Sequence, residues 1–213
     1  MKCAICEVRR PRRSCPAVRG DICAQCCGSA REVSLDCPLE CSYLQEAHRH
    51  ERPPDLDPDQ MPNKDVEITE RFVEEHAPLF TFVSRALWKS TLASTGVIDA
   101  DVREALDAMT RTYRTMQSGL VYETRPANLV AAGVQQRLAA ELDGLRKQLR
   151  EETGMETLRD ADVLGVLVML QRMEFTRNNG RPRGRAFLDF LSQEFGATGG
   201  AAGASSSGLI IPA

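Results

Sequence analysis

All eight cysteines of the chain lie within its first 41 residues, and the sequence from there to residue 213 contains none. They form two CxxC pairs, one CxxxC pair and two single positions: Cys3 with Cys6, Cys23 with Cys26, Cys37 with Cys41, and Cys15 and Cys27 alone. Close pairs separated by loops are typical of structural zinc sites, which take four tetrahedral ligands. Because eight thiols fill two such sites, the cysteine count predicts two Zn²⁺ ions per chain.

The spacing suggests how the ligands are shared between two metals. One arrangement is interleaved, with one metal at Cys3, Cys6, Cys23 and Cys26 and the other at Cys15, Cys27, Cys37 and Cys41. Cys26 and Cys27 are adjacent and point in different directions, so they can serve separate metals. His48 and His50 follow soon after Cys41 and are reserve ligands that could replace one of the single cysteines.

Other uses of clustered thiols fit these residues less well. A signal peptide needs an apolar run after a basic start, and the segment MKCAICEVRRPRRSC has only the basic start. We therefore expect a cytoplasmic protein, and disulfides are rare in that compartment. The CxxC pairs lack the βαβ surroundings of thioredoxin-type motifs, and the spacings match neither common ferredoxin run.

Composition divides the chain into four parts. Residues 1–52 are rich in cysteine and poor in large apolar residues, so metal has to replace a conventional core. Residues 53–65 carry prolines among acidic residues, which is the composition of an extended spacer. Residues 66–195 have helical periodicity, and residues 196–213 form a Gly/Ala/Ser tail that ends in the apolar segment LIIPA. The tail is expected to be flexible, with LIIPA as a short docking motif.

The region 66–195 is predicted to be an all-α bundle of five or six helices, which makes the fold class mainly α. Apolar residues recur at three- and four-residue steps in segments that begin near Pro78, Asp99 and Ala127. Pro78 suits a first helical turn, and Asp99 can cap the helix that follows it. The segment DADVLGVLVMLQRMEF is apolar nearly all round and predicts a central buried helix. A last helix is expected from about Arg183 to Phe195.

Two arginine-rich stretches are candidate binding sites for anions or for an acidic partner. The RRPRR segment contributes Arg9, Arg10, Arg12 and Arg13, and the loop before the last helix contributes Arg177, Arg181, Arg183 and Arg185. Guanidinium groups and the free N–H groups of a helix start favour phosphate, nucleic acid or acidic peptide. The alternatives are that the RRPRR arginines balance thiolate charge and that the later loop is structural, with its arginines paired to acids and helix ends. The net charge of −3 offers no general attraction to nucleic acid.

The cysteine-rich part resembles the MYND and HIT zinc fingers, on the strength of its two CxxC pairs followed by the CxxxC pair and His48. Arg52 stands where those families have a final cysteine. The resemblance covers about a quarter of the chain and implies a small interaction module with two interleaved zinc ions. The whole layout, with CCG, CPLECSYL and RNNGRPRGRAFLDFL, also resembles uncharacterised bacterial proteins that join a cysteine-rich head to a helical body.

No catalytic motif accompanies the cysteines. The sequence has no Walker-type phosphate loop, no GxSxG elbow and no HExxH helix, and it has no stretch long enough to span a bilayer. We therefore expect a non-enzymatic adaptor whose zinc module recognises a protein partner and whose bundle serves docking or oligomerisation. The alternatives are a nucleic-acid-binding regulator that uses both arginine stretches, and a thiol redox sensor that releases zinc on oxidation.

Overall fold

A computed structural model describes residues 1–51, 55–120, 122–155 and 157–196. The cysteine-rich module, residues 1–51, begins with two short antiparallel strands, β1 (Arg13–Cys15) and β2 (Gly20–Ile22). They are followed by the helices α1 (Ala24–Ala30) and α2 (Ser42–His50). These elements are short because the segment offers few large apolar residues, and its buried cluster consists mainly of cysteines around Ile22.

The rest of the described chain is helical, which confirms the mainly α fold. A short 3₁₀ helix at Pro58–Gln60 precedes the helical bundle, which is made of α3 to α8. The six helices are α3 (Glu70–Glu75), α4 (Ala77–Leu92), α5 (Asp99–Gln117), α6 (Leu129–Thr153), α7 (Asp160–Arg177) and α8 (Ala186–Phe195). In the part of the chain that the structure describes, no helix has both the length and the apolar character needed to cross a bilayer.

Helix α7 is the central helix of the bundle, as its sequence predicts. It packs against α4, α5 and α8. Its buried residues include Val163, Leu164, Val166, Leu167, Val168 and Leu170, which lie all round its axis. Gly165 allows the ring of Phe72 in α3 to approach closely, because a Cβ atom at this glycine would lie 2.3 Å from the ring. The centre of the bundle therefore depends on both large apolar side chains and one missing side chain.

The beginning of α5 differs from the expectation that Asp99 caps it. The N-cap residue is Ile98, and its backbone N–H donates to the carboxylate of Asp101 at 3.0 Å. The buried carboxylate of Asp99 instead accepts hydrogen bonds from the backbone N–H groups of Phe187 and Leu188, each at 3.0 Å. Asp99 thus accepts from free N–H groups in the first turn of α8. Its carboxylate occupies the position where the sequence suggested that an external anion would bind.

The end of the predicted spacer is held against the bundle. The guanidinium of Arg172 in α7 donates to the backbone carbonyls of Asn63 and Val66, both at 2.8 Å. The side-chain amide of Asn63 donates to Gln171 at 2.6 Å. Within the predicted spacer of residues 53–65, residues 53 and 54 lie outside the described chain, as do residues 197–213 of the predicted tail.

Candidate metal centre

The first cysteine group consists of Cys3, Cys6, Cys23 and Cys26. Their four sulfur atoms lie within 4.8 Å of one another, which is metal-binding distance. Strand β2 and helix α1 bring them together: the N–H of Ala4 donates to the carbonyl of Asp21 in β2 at 2.9 Å, and Cys23 is the N-cap residue of α1. The structure therefore assembles the two CxxC pairs as one group.

Backbone N–H groups surround the sulfurs of this group. The N–H of Cys23 donates to the sulfur of Cys3 at 3.2 Å, and the N–H of Cys26 donates to the sulfur of Cys23 at 3.4 Å. Burial acts to raise the pKa of Cys3, but hydrogen bonds from the backbone of Cys6, Cys23 and Ile5 outweigh it, and the pKa falls to about 6. The sulfur of Cys23 raises the pKa of Cys26 to about 12. The protein stabilises one thiolate here and makes the next harder to ionise.

This donor set fits a structural zinc ion. Zinc bound by four thiolates at about 2.3 Å requires a compact tetrahedron of sulfur atoms, and closed sites of this kind hold small domains together. A divalent cation that replaces the thiol protons would also relieve the repulsion between neighbouring thiolates. The first cysteine group is therefore consistent with the zinc site of a zinc finger.

The second cysteine group consists of Cys15, Cys27, Cys37 and Cys41. All four line one small cavity, together with apolar side chains such as Ile22 and Leu44. The grouping is looser than the first, because no three of these sulfurs lie within 4.8 Å of one another in the described residues. Burial raises the pKa of Cys37, and the backbone N–H of Glu32 opposes this effect only in part.

Two arginines reach the second group. Nη1 of Arg13 donates to the sulfur of Cys27 at 3.2 Å, and Nη2 of Arg31 lies 3.9 Å from the same sulfur. The guanidinium of Arg13 also stacks over the ring of Tyr43, 4.7 Å from its centroid. Arg13 therefore faces inward, toward a thiol, which agrees with the alternative that part of the RRPRR segment balances thiolate charge.

The other RRPRR arginines lie at the surface. Arg9, Arg10 and Arg12 are exposed. A hydrogen bond to the sulfur of Cys23 raises the pKa of Arg9, so this guanidinium also faces a cysteine. Arg10 and Arg12 are the members of the segment that face solvent.

The reserve ligands His48 and His50 join carboxylates. Nε2 of His48 lies 3.1 Å from Glu32, and its Nδ1 lies 2.9 Å from Asp189 in α8. Burial would lower the pKa of His48, but the hydrogen bonds to Asp189 and Glu32 dominate and raise it to about 9. His50 is exposed and pairs with Glu46 at 2.9 Å. Neither histidine therefore replaces Cys15 or Cys27, the two cysteines outside the CxxC and CxxxC pairs.

Glu32, His48 and Glu51 also lie close enough together to suggest a metal site. Their polar atoms, however, already have partners. His48 contacts Asp189, and the two carboxylates contact the loop 177–185, which is called the arginine loop below. The side-chain amide of Asn179 donates to Glu32 at 2.8 Å and to Glu51 at 3.2 Å, and Arg181 pairs with both carboxylates. We interpret these contacts as the joint between the cysteine-rich module and the bundle.

The arginine loop is bound mostly within the chain. Arg185 is buried, and its guanidinium donates to the backbone carbonyls of Val97, at 3.0 Å, and Cys37. Arg183 pairs with Asp36, and Arg177 lies over the ring of Phe190, 3.9 Å from its centroid. Arg185 therefore cannot reach an external anion, which corrects the expectation for that residue. Apart from Val97 and Phe190, the partners are acids and carbonyls of the module, and not acids of the bundle helices.

Sequence reasoning missed Glu32, Asn179 and Asp189 as residues that join the two parts. Their contacts connect positions more than a hundred residues apart, and no spacing rule relates them. The available signal was local: the NNG turn indicated a loop of demanding conformation, and Gly180 does have a positive φ of 68°.

No model of a protein family, no curated protein and no solved structure matches this chain. The interpretation of the cysteine-rich module consequently rests on its own residues. These are consistent with a zinc finger, and the MYND or HIT type stays a prediction.

Proposed function

We propose that the chain is a zinc-binding adaptor in which two metal ions hold a recognition module on a helical bundle. The observation that carries the proposal is the first cysteine group, four sulfurs within 4.8 Å of one another with no ligand of another kind. A zinc ion held by four thiolates has no open coordination position, whereas catalytic zinc keeps one for water or substrate. The donor set therefore favours a structural role and supports a protein without enzymatic activity.

The second zinc would be bound by the second cysteine group. Its four residues line a common cavity, and adjacent Cys26 and Cys27 in α1 belong to different groups. The guanidinium groups of Arg13 and Arg31 would balance part of the excess negative charge of four thiolates on a divalent ion. This split of eight cysteines is the interleaved arrangement that the spacing predicts.

The surface that would contact a partner is the segment 5–12, which lies within and just after the first CxxC pair. Val8 is 79% exposed and Ile5 is 40% exposed. The basic side chains of Arg10 and Arg12 are also exposed on the same short loop. A surface of this composition suits a protein segment that carries both apolar and acidic residues, since phosphate alone would not use the apolar side chains.

In the nucleic-acid alternative, at least half of the eight candidate arginines already have partners within the chain. Arg181, Arg183 and Arg185 are paired with groups of the cysteine-rich module, and Arg13 faces a sulfur. Two zinc sites of four thiolates would each add a net charge of about −2 to the module. A phosphate-binding protein would still reveal itself by a steep loss of affinity with salt.

Affinity capture with the full chain tests the recognition role. Partners from the native host are identified, and the affinity of the purified partner is then measured for wild type and for Val8→Asp. We expect Val8→Asp to weaken binding at least about tenfold, because it replaces an apolar contact by a carboxylate that would face the acidic residues of the partner, and like charges across an interface cost several kcal/mol. Leu129→Asp is the matched control, since Leu129 is 88% exposed but lies on the bundle. Equal affinity for Val8→Asp and wild type, or retention of nucleic acid alone, would contradict the proposal.

A further inference from the structure

We propose that Glu32, His48 and Asp189 are positioning residues of the second metal site, so that metal binding there and docking of the module on the bundle form one coupled equilibrium. The inference rests on the proposed second zinc. Asp189, a residue of the bundle, would thereby affect the affinity of a metal ion that is bound by the module.

Glu32 contacts a cysteine of the second group and the bundle at the same time. The backbone of Glu32 lies close enough to Cys37 to act against the rise in the pKa of its thiol. The backbone carbonyl of Glu32 accepts from the N–H of Arg183 at 2.8 Å. Its fully buried carboxylate accepts from the N–H of Arg185 at 2.7 Å and from Asn179 at 2.8 Å. Glu32 has a φ of 54°, a left-handed conformation that is unusual without glycine and that these contacts hold in place.

A second connection runs through Cys37 itself. Its backbone carbonyl accepts a hydrogen bond from the guanidinium of Arg185, which also donates to Val97 in the loop before α5. The neighbouring Asp36 pairs with Arg183. The segment that presents Cys37 to the metal cavity is therefore bound to the arginine loop at the cysteine itself and at the residue before it.

A third connection runs through α2. Cys41 is the N-cap residue of this helix, and His48 lies about two turns further along it, on the same face. His48 contacts both Glu32 and Asp189, and Asp189 lies in the first turn of α8. The position of α2, and with it the position of Cys41, therefore depends on a carboxylate of the bundle.

The first cysteine group is supported differently. Cys3 N–H donates to Arg9, Ala4 N–H donates to Asp21, and Cys23 N–H donates to Cys3, so these bonds stay inside the module. The buried cluster around it, which also includes Cys15 and Cys27 of the second group, contains residues of the module alone. A substitution that removes a contact with the bundle should therefore lower the metal affinity of the second cysteine group and leave that of the first group unchanged.

Outer-shell groups that are bonded directly to a metal ligand typically contribute about 10- to 100-fold to metal affinity. Asp189 acts one step further out, through His48 and α2, so we expect a smaller effect, about 3- to 10-fold. Coupling between two equilibria is reciprocal. If docking of the module on the bundle raises the metal affinity of the second site by some factor, metal at that site raises the docking equilibrium constant by the same factor. Both directions are measurable.

The test is a competition of the full-length, zinc-loaded protein against a chelator of known affinity, for wild type, Asp189→Ala and Asp189→Asn. We expect wild type to hold two zinc ions per chain. Asp189→Ala should weaken one of them about 3- to 10-fold, and Asp189→Asn, which keeps a hydrogen-bond acceptor for His48, should weaken it less. The matched control is Asp162→Ala, because Asp162 lies in the first turn of α7 and contacts His76 at 3.2 Å. Its zinc affinities should equal those of wild type.

Hydrogen exchange of backbone amides tests the effect of metal binding on docking, and it needs no Asp189 variant. In Cys37→Ser, the amides of Arg183 and Arg185 should exchange faster than in wild type, whereas in Cys6→Ser they should not change. Two zinc ions with unaltered affinity in Asp189→Ala, or an equal loss at both sites, would overturn the coupling and leave the adaptor proposal standing. A single zinc in wild type would instead contradict the second site, and with it both proposals.

Discussion

The imidazole of His48 lies between two carboxylates, with Nε2 3.1 Å from Glu32 and Nδ1 2.9 Å from Asp189. Glu32 and His48 belong to the cysteine-rich module, and Asp189 belongs to the last helix of the bundle. The side chain of His48 is only 7% exposed, so the three groups interact with little screening by water. One protonated ring therefore stabilises the joint between the two parts of the molecule.

The joint should be sensitive to alkaline pH. The contacts to Asp189 and Glu32 raise the pKa of His48 to about 9 in the folded protein, against an ordinary value of 6.5. A raised folded-state pKa means that this stabilisation is fully present below about pH 6.5 and is lost as pH rises through 9. Unfolding free energies measured from pH 6 to pH 10 should fall in this window for wild type. In His48→Gln the fall should be smaller, and NMR titration of the His48 ring with a midpoint below 7 would contradict the prediction.

The carboxylate of Asp99 should contribute to stability mainly as a hydrogen-bond acceptor. Burial raises its pKa to about 7, although the N–H groups of Phe187 and Leu188 oppose the shift. Asp99→Ala leaves two buried N–H groups without an acceptor and should lower the unfolding free energy by about 1–3 kcal/mol. Asp99→Asn keeps one acceptor and should lower it less. Urea unfolding measures both, and the exposed Asp143→Ala in α6 is the control, for which we expect little change.

Gly165 and Gly144 are both helix-interior glycines, but they should respond oppositely to alanine. A Cβ at Gly165 would lie 2.3 Å from the ring of Phe72, whereas nothing lies within 4 Å of a Cβ at Gly144. Gly165→Ala should lower the unfolding free energy by about 1–3 kcal/mol through overpacking. Gly144→Ala should raise it by about 0.5–1 kcal/mol through helix propensity. Thermal unfolding distinguishes them, and a stabilising Gly165→Ala would show that α3 does not pack closely on α7.

The long helices could be predicted because their apolar periodicity is a local property of the sequence. Pro78 does lie in the first turn of α4, and the apolar segment after Asp160 is the central helix. The strands and helices of the cysteine-rich module were not predicted, because elements of three to nine residues carry too little periodicity. The six-residue α3 was missed for the same reason.

The part of the candidate site that depends on the spacing of the cysteines could be predicted. The first cysteine group comes together as its two CxxC pairs indicate. The role of the arginine loop could not be predicted, since Arg181, Arg183 and Arg185 find partners in residues 32–51, about 150 positions earlier in the sequence. Charge alone does not reveal whether a basic loop binds an external anion or an internal carboxylate.

The most direct measurement is the zinc content of protein purified without added metal, for wild type and for one cysteine variant of each group. The account predicts two zinc ions per chain in wild type and about one in both Cys6→Ser and Cys37→Ser. Removal of all metal should unfold the module, because its buried cluster contains little besides cysteines and Ile22. A module that is folded without metal, or a wild-type protein that binds none, would contradict the account.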